Sequence, residues 1–302
     1  MPNNRIPSRR AVLGGLLGVG LAGAVRASEI RAVAVRQPGL VGTLFLPPRP
    51  SERPAVVCLT GVMGGLWEAP AEALAREGFA TLALATHNFE DLPPRLRLLP
   101  LDNIAHAVDW LRMRVAPRGD IVAVRGWSRG GEAALLLASL TDTVNAVIAY
   151  APRCYVGREQ DKPNNFADPT AAAAWTWKGA PVEGTKLPRE MMADRAHQSL
   201  EDMFGIPVER IKGPVMLVSG AADTGLAGTT AQFGCETVMR RLDLFKSPYK
   251  RSHWNYPDAG HTIAGPPAFS GPAEEGGTLA GDRAAIADSW PRAIKFLNDI
   301  RI

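Results

Sequence analysis

Apolar residues in this chain fall into short, nearly continuous runs separated by stretches with a helical rhythm. Ala55 to Thr60, Phe79 to Ala85, Ile121 to Val124, Asn145 to Ala149 and Pro214 to Ser219 are runs of strand length with few polar interruptions. Strands read this way when both faces of a sheet are covered. Between them, Ala69 to Arg76 and Glu132 to Ala138 are strong helix formers, and Ala284 to Leu297 closes the chain with another helix. Leu101, Ile104, Ala105, Val108 and Leu111 recur at the spacing of one helical face, which predicts an amphipathic helix ahead of the Ile121 strand. Arg31 to Arg36 and Leu40 to Leu46 flank a Pro-Gly turn and predict a hairpin, while Trp254 to Tyr256 predicts a last short strand. Strands alternating with helices imply an α/β domain built on a doubly wound, mostly parallel sheet.

Two segments break the rhythm. From about 153 to 210 the chain is rich in Pro, Trp and Met and shows no clear strand. A connection of that length without its own structure is uncommon unless functional, so a cap-like insertion is expected there. At the other end, Ser8-Arg9-Arg10-Ala11-Val12-Leu13 leads into a Gly-, Ala- and Leu-rich stretch from Gly14 to Val25, with small residues for cleavage after Ala27. This layout predicts a twin-arginine export signal over 1–27, with 28–302 forming a single mature domain. Its apolar core is too short for a comfortable permanent anchor. The expectation is therefore the twin-arginine export machinery as a partner, a periplasmic or secreted product, and no stable membrane anchor after cleavage.

The signal changes the charge argument. The formal charge is +4, but Arg5, Arg9, Arg10 and Arg26 all lie within 1–27, which has no acidic residue. Removing those four of 34 basic residues leaves 30 against 30 acidic ones, a neutral mature chain. Nothing in that balance favours nucleic acid as a partner. Of the three cysteines, Cys58 reads as a core residue, and Cys154 and Cys235 are an unfavoured disulfide pair. No Cys/His spacing suits a metal, and no cofactor is expected.

Gly126-Trp127-Ser128-Arg129-Gly130 stands between a strand and a helix. A sharp turn there needs small residues on both sides, and it projects the Ser128 hydroxyl beside the positive end of the new helix. A serine becomes nucleophilic when a histidine takes its proton, and the histidine needs an acid to hold its tautomer. Among five histidines, His261 follows the last strand in a Pro257-Asp258-Ala259-Gly260 turn and is the expected base. His253 and His106 are expected to be structural, His87 to line the site, and His197 falls in the insertion. Asp223 ends the loop after the Pro214 strand and is the expected acid, with Asp258 a weaker rival and Glu132 a buried polar contact. The backbone amides of Arg129 and Val62 are the expected oxyanion donors, with Gly61 and Met63 as alternatives to Val62.

Several segments together resemble the C-terminal catalytic domain of the acyl-CoA thioesterase and bile acid-CoA:amino acid N-acyltransferase family, within the α/β-hydrolases. They are Phe89-Glu90-Asp91-Leu92-Pro93, the Ser128 pentapeptide through Glu132, Ile206 to Pro214 with Asp223, and Tyr256 to His261. The resemblance implies an α/β-hydrolase fold and places the family's catalytic roles on Ser128, Asp223 and His261. Members that transfer acyl groups to amino acids have cysteine at the elbow, so Ser128 resembles the hydrolytic ones. Thr224-Gly225 stands where the family usually has a tryptophan-serine step. Animal members also carry a β-rich domain ahead of this one, where only a short hairpin is expected here. The combined expectation is an exported serine hydrolase that cleaves a small-molecule ester or thioester through an acyl-enzyme. Two rivals are a cytoplasmic acyl-CoA thioesterase and a non-catalytic binding protein on the same scaffold.

Overall fold

The computed structural model describes residues 29–115, 117–153, 155–159, 172–182, 205–225, 231–269 and 275–300. The expected signal segment, Cys154, His197 and most of the insertion lie outside these residues.

The predicted hairpin forms from Arg31–Gln37 (β1) and Leu40–Leu46 (β2), with Arg31 opposite Leu46. The chain then alternates strand and helix: Ala55–Leu59 (β3), Ala69–Arg76 (α1), Thr81–Ala85 (β4), Leu99–Pro100 (β5), Leu101–Val115 (α2), Val122–Trp127 (β6) and Arg129–Leu140 (α3). After Ala146–Tyr150 (β7) come Trp175–Trp177 (β8) and Ala180–Pro181 (β9). Val215–Gly220 (β10), Ala231–Leu244 (α4), Arg251–Tyr256 (β11) and Leu279–Asp299 (α5) complete it. Eight strands make the main sheet in the order β1-β2-β4-β3-β6-β7-β10-β11. From β4 onward every pair is parallel, while β2 runs antiparallel to β4. That order, with an antiparallel hairpin at one edge, is the α/β-hydrolase fold.

The continuous apolar runs have the cause expected of them. Residues alternate between two cores along each strand. Val57, Leu59, Val124, Val147 and Leu217 face one side, against Ile104, Val108 and Leu111 of α2 and the apolar faces of α3 and α4. Val56, Cys58, Ala123, Ile148 and Val218 face the other, against Leu74 of α1 and Ile286, Trp290 and Leu297 of α5. On α2, Ala107 rather than Ala105 is fully buried. Burial pushes the Cys58 thiol up to about 11, against the pull of Arg125, so it is an inert core group.

Four elements differ from the sequence pattern. β11 begins at Arg251, three residues early, because an edge strand needs only one covered face and tolerates polar residues. α5 begins at Leu279, where the Thr278 side chain accepts from the Gly281 N–H and caps a start that carries no long apolar signal. The insertion does hold strands: β8 pairs in parallel with β5, and β9 pairs antiparallel with β8. They are too short for periodicity to reveal.

Candidate active site

Ser128, Asp223 and His261 sit just beyond the ends of the parallel strands β6, β10 and β11. β6 delivers Ser128, whose φ of 55° and ψ of −119° lie in a region that side chains rarely occupy. Neighbouring bonds hold that strain: the Ser128 N–H donates to the Tyr150 carbonyl at 2.8 Å, and the Glu132 N–H donates to the Ser128 carbonyl at 3.0 Å. The flanking glycines are obligatory. A Cβ on Gly126 would lie 2.1 Å from the Gly130 oxygen, and one on Gly130 would lie 2.2 Å from the Thr60 oxygen.

β10 and β11 run side by side, Gly220 opposite Tyr256, so the loops that follow them meet. There Nδ1 of His261 lies 2.8 Å from Oδ2 of Asp223, with both side chains buried. The Gly225 N–H donates to Oδ1 of Asp223 at 2.7 Å, which fixes the carboxylate on both oxygens. Burial pushes the His261 pKa down, but the charge and hydrogen bond of Asp223, together with Glu275, outweigh it. Arg153 works with burial, and the net result is a pKa raised above 6.5. The indole N–H of Trp127 donates to the His261 carbonyl at 2.9 Å, joining the elbow to the histidine turn. That turn is anchored from below by Asp282 of α5, which accepts from the Gly260 N–H at 2.7 Å.

Gly61-Val62-Met63-Gly64-Gly65 has the composition of a loose loop, yet it is tightly stapled. The Gly64 N–H donates to the Gly61 carbonyl, the Thr60 hydroxyl donates to the Gly64 carbonyl, and the Gly65 N–H donates to the His87 carbonyl. His87, at the end of β4, places Nε2 2.9 Å from the Val62 carbonyl and Nδ1 3.0 Å from the Thr86 hydroxyl. Burial holds its pKa below 6.5, and the Val62 carbonyl only partly opposes this. His87 is therefore a neutral donor to the loop. Among the described residues nothing accepts from the Val62 N–H, whereas the Ser128 N–H is spent on Tyr150. The Arg129 N–H belongs to the first turn of α3, whose amides have no intrahelical partner.

Val62, Ser128 and His261, with Trp127, Arg153 and Glu275, line one cavity of about 50 Å³. Larger hollows of about 640 and 620 Å³ lie near Arg112 and between β11 and α5, and neither holds any of these groups. The cavity brings together a serine, a histidine held by a buried aspartate, and Val62 as one candidate amide donor, with Arg129 next to Ser128 at the start of α3. Such a set can perform acyl transfer at a carbonyl.

Other expected residues fall elsewhere. His253 lies on β11 with Nε2 2.7 Å from the Ser219 hydroxyl, His106 is exposed on α2, and Asp258 is exposed. Glu132 is fully buried: its Oε2 is 2.7 Å from Nη1 of Arg129, and its Oε1 accepts from Trp175 Nε1 and the Gly157 N–H, both at 2.9 Å. Arg129 also donates to the Arg158 carbonyl, so this pair fastens the described parts of the insertion to the start of α3. Trp127, Arg153, Glu275 and Asp282 were not legible in the sequence. Each acts through a contact between distant segments, and Trp127, although inside the elbow pentapeptide, reaches His261 only through the fold. Among the described residues no cluster of His, Cys, Asp and Glu could hold a metal ion.

The chain is 32% identical over 245 residues to the mouse acyl-coenzyme A thioesterase 1, covering 80% of this chain and 56% of that protein. It is 32% identical over 197 residues to the mouse peroxisomal succinyl-coenzyme A thioesterase, covering 65% of this chain and 47% of that one. The chain thus spans about half the length of these relatives. Its fold matches a dienelactone hydrolase-like promiscuous phosphotriesterase from metagenomic libraries with a TM-score of 0.54 at 17% identity, covering 90% of this chain and 99% of that one. The model of the BAAT / acyl-CoA thioester hydrolase C-terminal family matches residues 99–300, and the chain belongs to that family.

Proposed function

We propose that this chain is a serine hydrolase that cleaves a carboxylic ester or thioester through an acyl-enzyme. The observation that carries the proposal is the 2.8 Å contact between His261 and Asp223 at a cavity shared with the strained Ser128. Ser128 Oγ attacks the carbonyl carbon while His261 Nε2 takes its proton. Asp223 holds Nδ1–H and stabilises the imidazolium, and the Arg129 and Val62 amides receive the oxyanion. Collapse breaks the bond to the leaving oxygen or sulfur, which accepts the proton from His261. Water, deprotonated by the same nitrogen, then releases the acid and restores the serine. The family and its thioesterase relatives support hydrolysis of an acyl bond.

The choice of acyl donor follows from location. The paired arginines at Arg9 and Arg10, followed by a short apolar core, favour export to the periplasm or beyond, where coenzyme A is scarce. An ester or non-CoA thioester is then the substrate. The second possibility, acyl-CoA hydrolysis in the cytoplasm, is favoured by the names of the relatives and requires the signal to be inactive. A non-catalytic binding protein would have no need of an acid, base and nucleophile at one cavity.

A fluorophosphonate probe should label the protein, and the label should vanish in Ser128→Ala. A panel of simple esters, lactones and acyl-CoAs of graded length then separates esterase from thioesterase. Labelling that persists without Ser128 would place the nucleophile elsewhere. Amino-terminal sequencing of periplasmic protein tests cleavage after Ala27.

A further inference from the structure

Glu275 has no part in the proton relay, yet its backbone is tied to the candidate base and to the loop that carries the candidate acid. Its carbonyl accepts from the Thr224 N–H at 3.0 Å and from the His261 N–H at 3.3 Å, and the adjacent Gly276 bridges Asp223. From this anchored position the side chain reaches into the cavity, placing Oε2 3.9 Å from Nε2 of His261. Gly225 leaves room for it, since a Cβ there would lie 2.9 Å from that oxygen.

Nε2 is the atom that must hand a proton to the leaving group, and such a transfer needs heavy atoms within about 3.2 Å. With Oε2 3.9 Å from Nε2, the leaving atom stands no more than about 7 Å from the Glu275 carboxylate. Its first substituents stand at similar range. The charged groups that face the His261 ring are Asp223, Glu275 and Arg153, with Asp282 behind Asp223. Asp223 is occupied at Nδ1, and Arg153 approaches from the end of β7. Glu275 is therefore the anion on the proton-delivering side of the ring, and its side chain is mostly buried, at 29% exposed. In so small a cavity a charge is weakly screened.

Resting on the hydrolase assignment above, we propose that Glu275 is a specificity-determining residue for the leaving group. It selects esters or thioesters whose leaving group carries a cation or no charge near the scissile bond, and it rejects those with an anion there. The phosphates of a long nucleotide carrier lie many bonds from its sulfur and escape this selection.

The test is kcat/KM for three matched acetate esters: of choline, of its uncharged isostere 3,3-dimethylbutanol, and of 2-hydroxyethanesulfonate. The expected order is cation, neutral, anion, with steps of roughly tenfold. In Glu275→Gln the ratios should fall towards one, and in Glu275→Lys the order should invert. Because the readout is a ratio within one variant, a general loss of activity does not disturb it. Equal rates for all three esters in the wild-type protein, or an order kept in Glu275→Gln, would overturn the proposal. If no ester is turned over and no fluorophosphonate label is taken up, the hydrolase assignment itself falls, and this one with it.

Discussion

Asp223 holds His261 by one carboxylate oxygen, 2.8 Å from Nδ1, while the Gly225 N–H holds the other at 2.7 Å. A carboxylate held on both oxygens favours the tautomer with the proton on Nδ1, which leaves Nε2 as the free nitrogen of the ring. Asp223→Asn preserves the size of the group but can present an amide N–H to Nδ1 and reverse the tautomer. Steady-state kinetics on the preferred ester should show kcat reduced on the order of 10⁴-fold with little change in KM. A decrease of only a few-fold would remove Asp223 from the acid's role.

The acid side of the pH profile should report His261. Burial lowers its pKa, Asp223 and Glu275 raise it more, and the net value is above 6.5. A base must be neutral, so kcat/KM should rise with pH through a midpoint above 6.5. Glu275→Gln removes an anion that raises the pKa and should move the midpoint to lower pH. Arg153→Met removes a cation that lowers it and should move the midpoint the other way. A midpoint unmoved by both changes would mean that some other group titrates.

His87 should matter to rate more than to binding. It donates from Nε2 to the Val62 carbonyl and holds the loop that carries the candidate oxyanion amide. His87→Phe fills the space without the donor and should lower kcat by about 10–100-fold while KM changes little. His87→Gln, which can return an N–H, should recover part of the loss. Binding of a boronate transition-state analogue should weaken in parallel with kcat, and an unchanged affinity would exclude the positioning role.

The Arg129–Glu132 pair should be a matter of stability. Both side chains are buried, and burial lowers the Arg129 pKa to about 10 while Glu132 opposes this, so the guanidinium stays charged at neutral pH. Glu132→Ala strands that charge and removes the acceptor for Trp175 and Gly157. Urea unfolding should show a loss of about 3–5 kcal/mol. Replacing both residues with apolar ones, Arg129→Met with Glu132→Leu, should restore much of it. Equal losses in the single and double variants would show that the pair's charges are not the cause.

The elements that sequence periodicity foretold are those buried on both faces or along one clean stripe. α1 runs from Ala69 to Arg76 as expected, and the strands before Ser128 and Asp223 each begin one residue after the start of their apolar runs. What escaped was governed by one-sided or very short pairing. The first half of β11 lies on an edge, and β8 is a three-residue strand whose partner is two residues long.

The candidate site divides along the same line. Ser128, Asp223 and His261 were legible as candidates because each follows a strand, in a chain order that local patterns carry. Their contact distances were not, since these depend on neighbouring parallel strands bringing separate loops to one edge. The groups that tune the site, His87 under the Val62 loop, Arg153, Asp282 beneath the histidine turn, and Glu275 against Nε2, are joined only across the fold. The sequence alone therefore singled out the candidate nucleophile, acid and base, because each is marked by a local pattern after a strand. The tertiary structure alone decided the charges that surround it, because electrostatic influence depends on distance through space and not on separation along the chain.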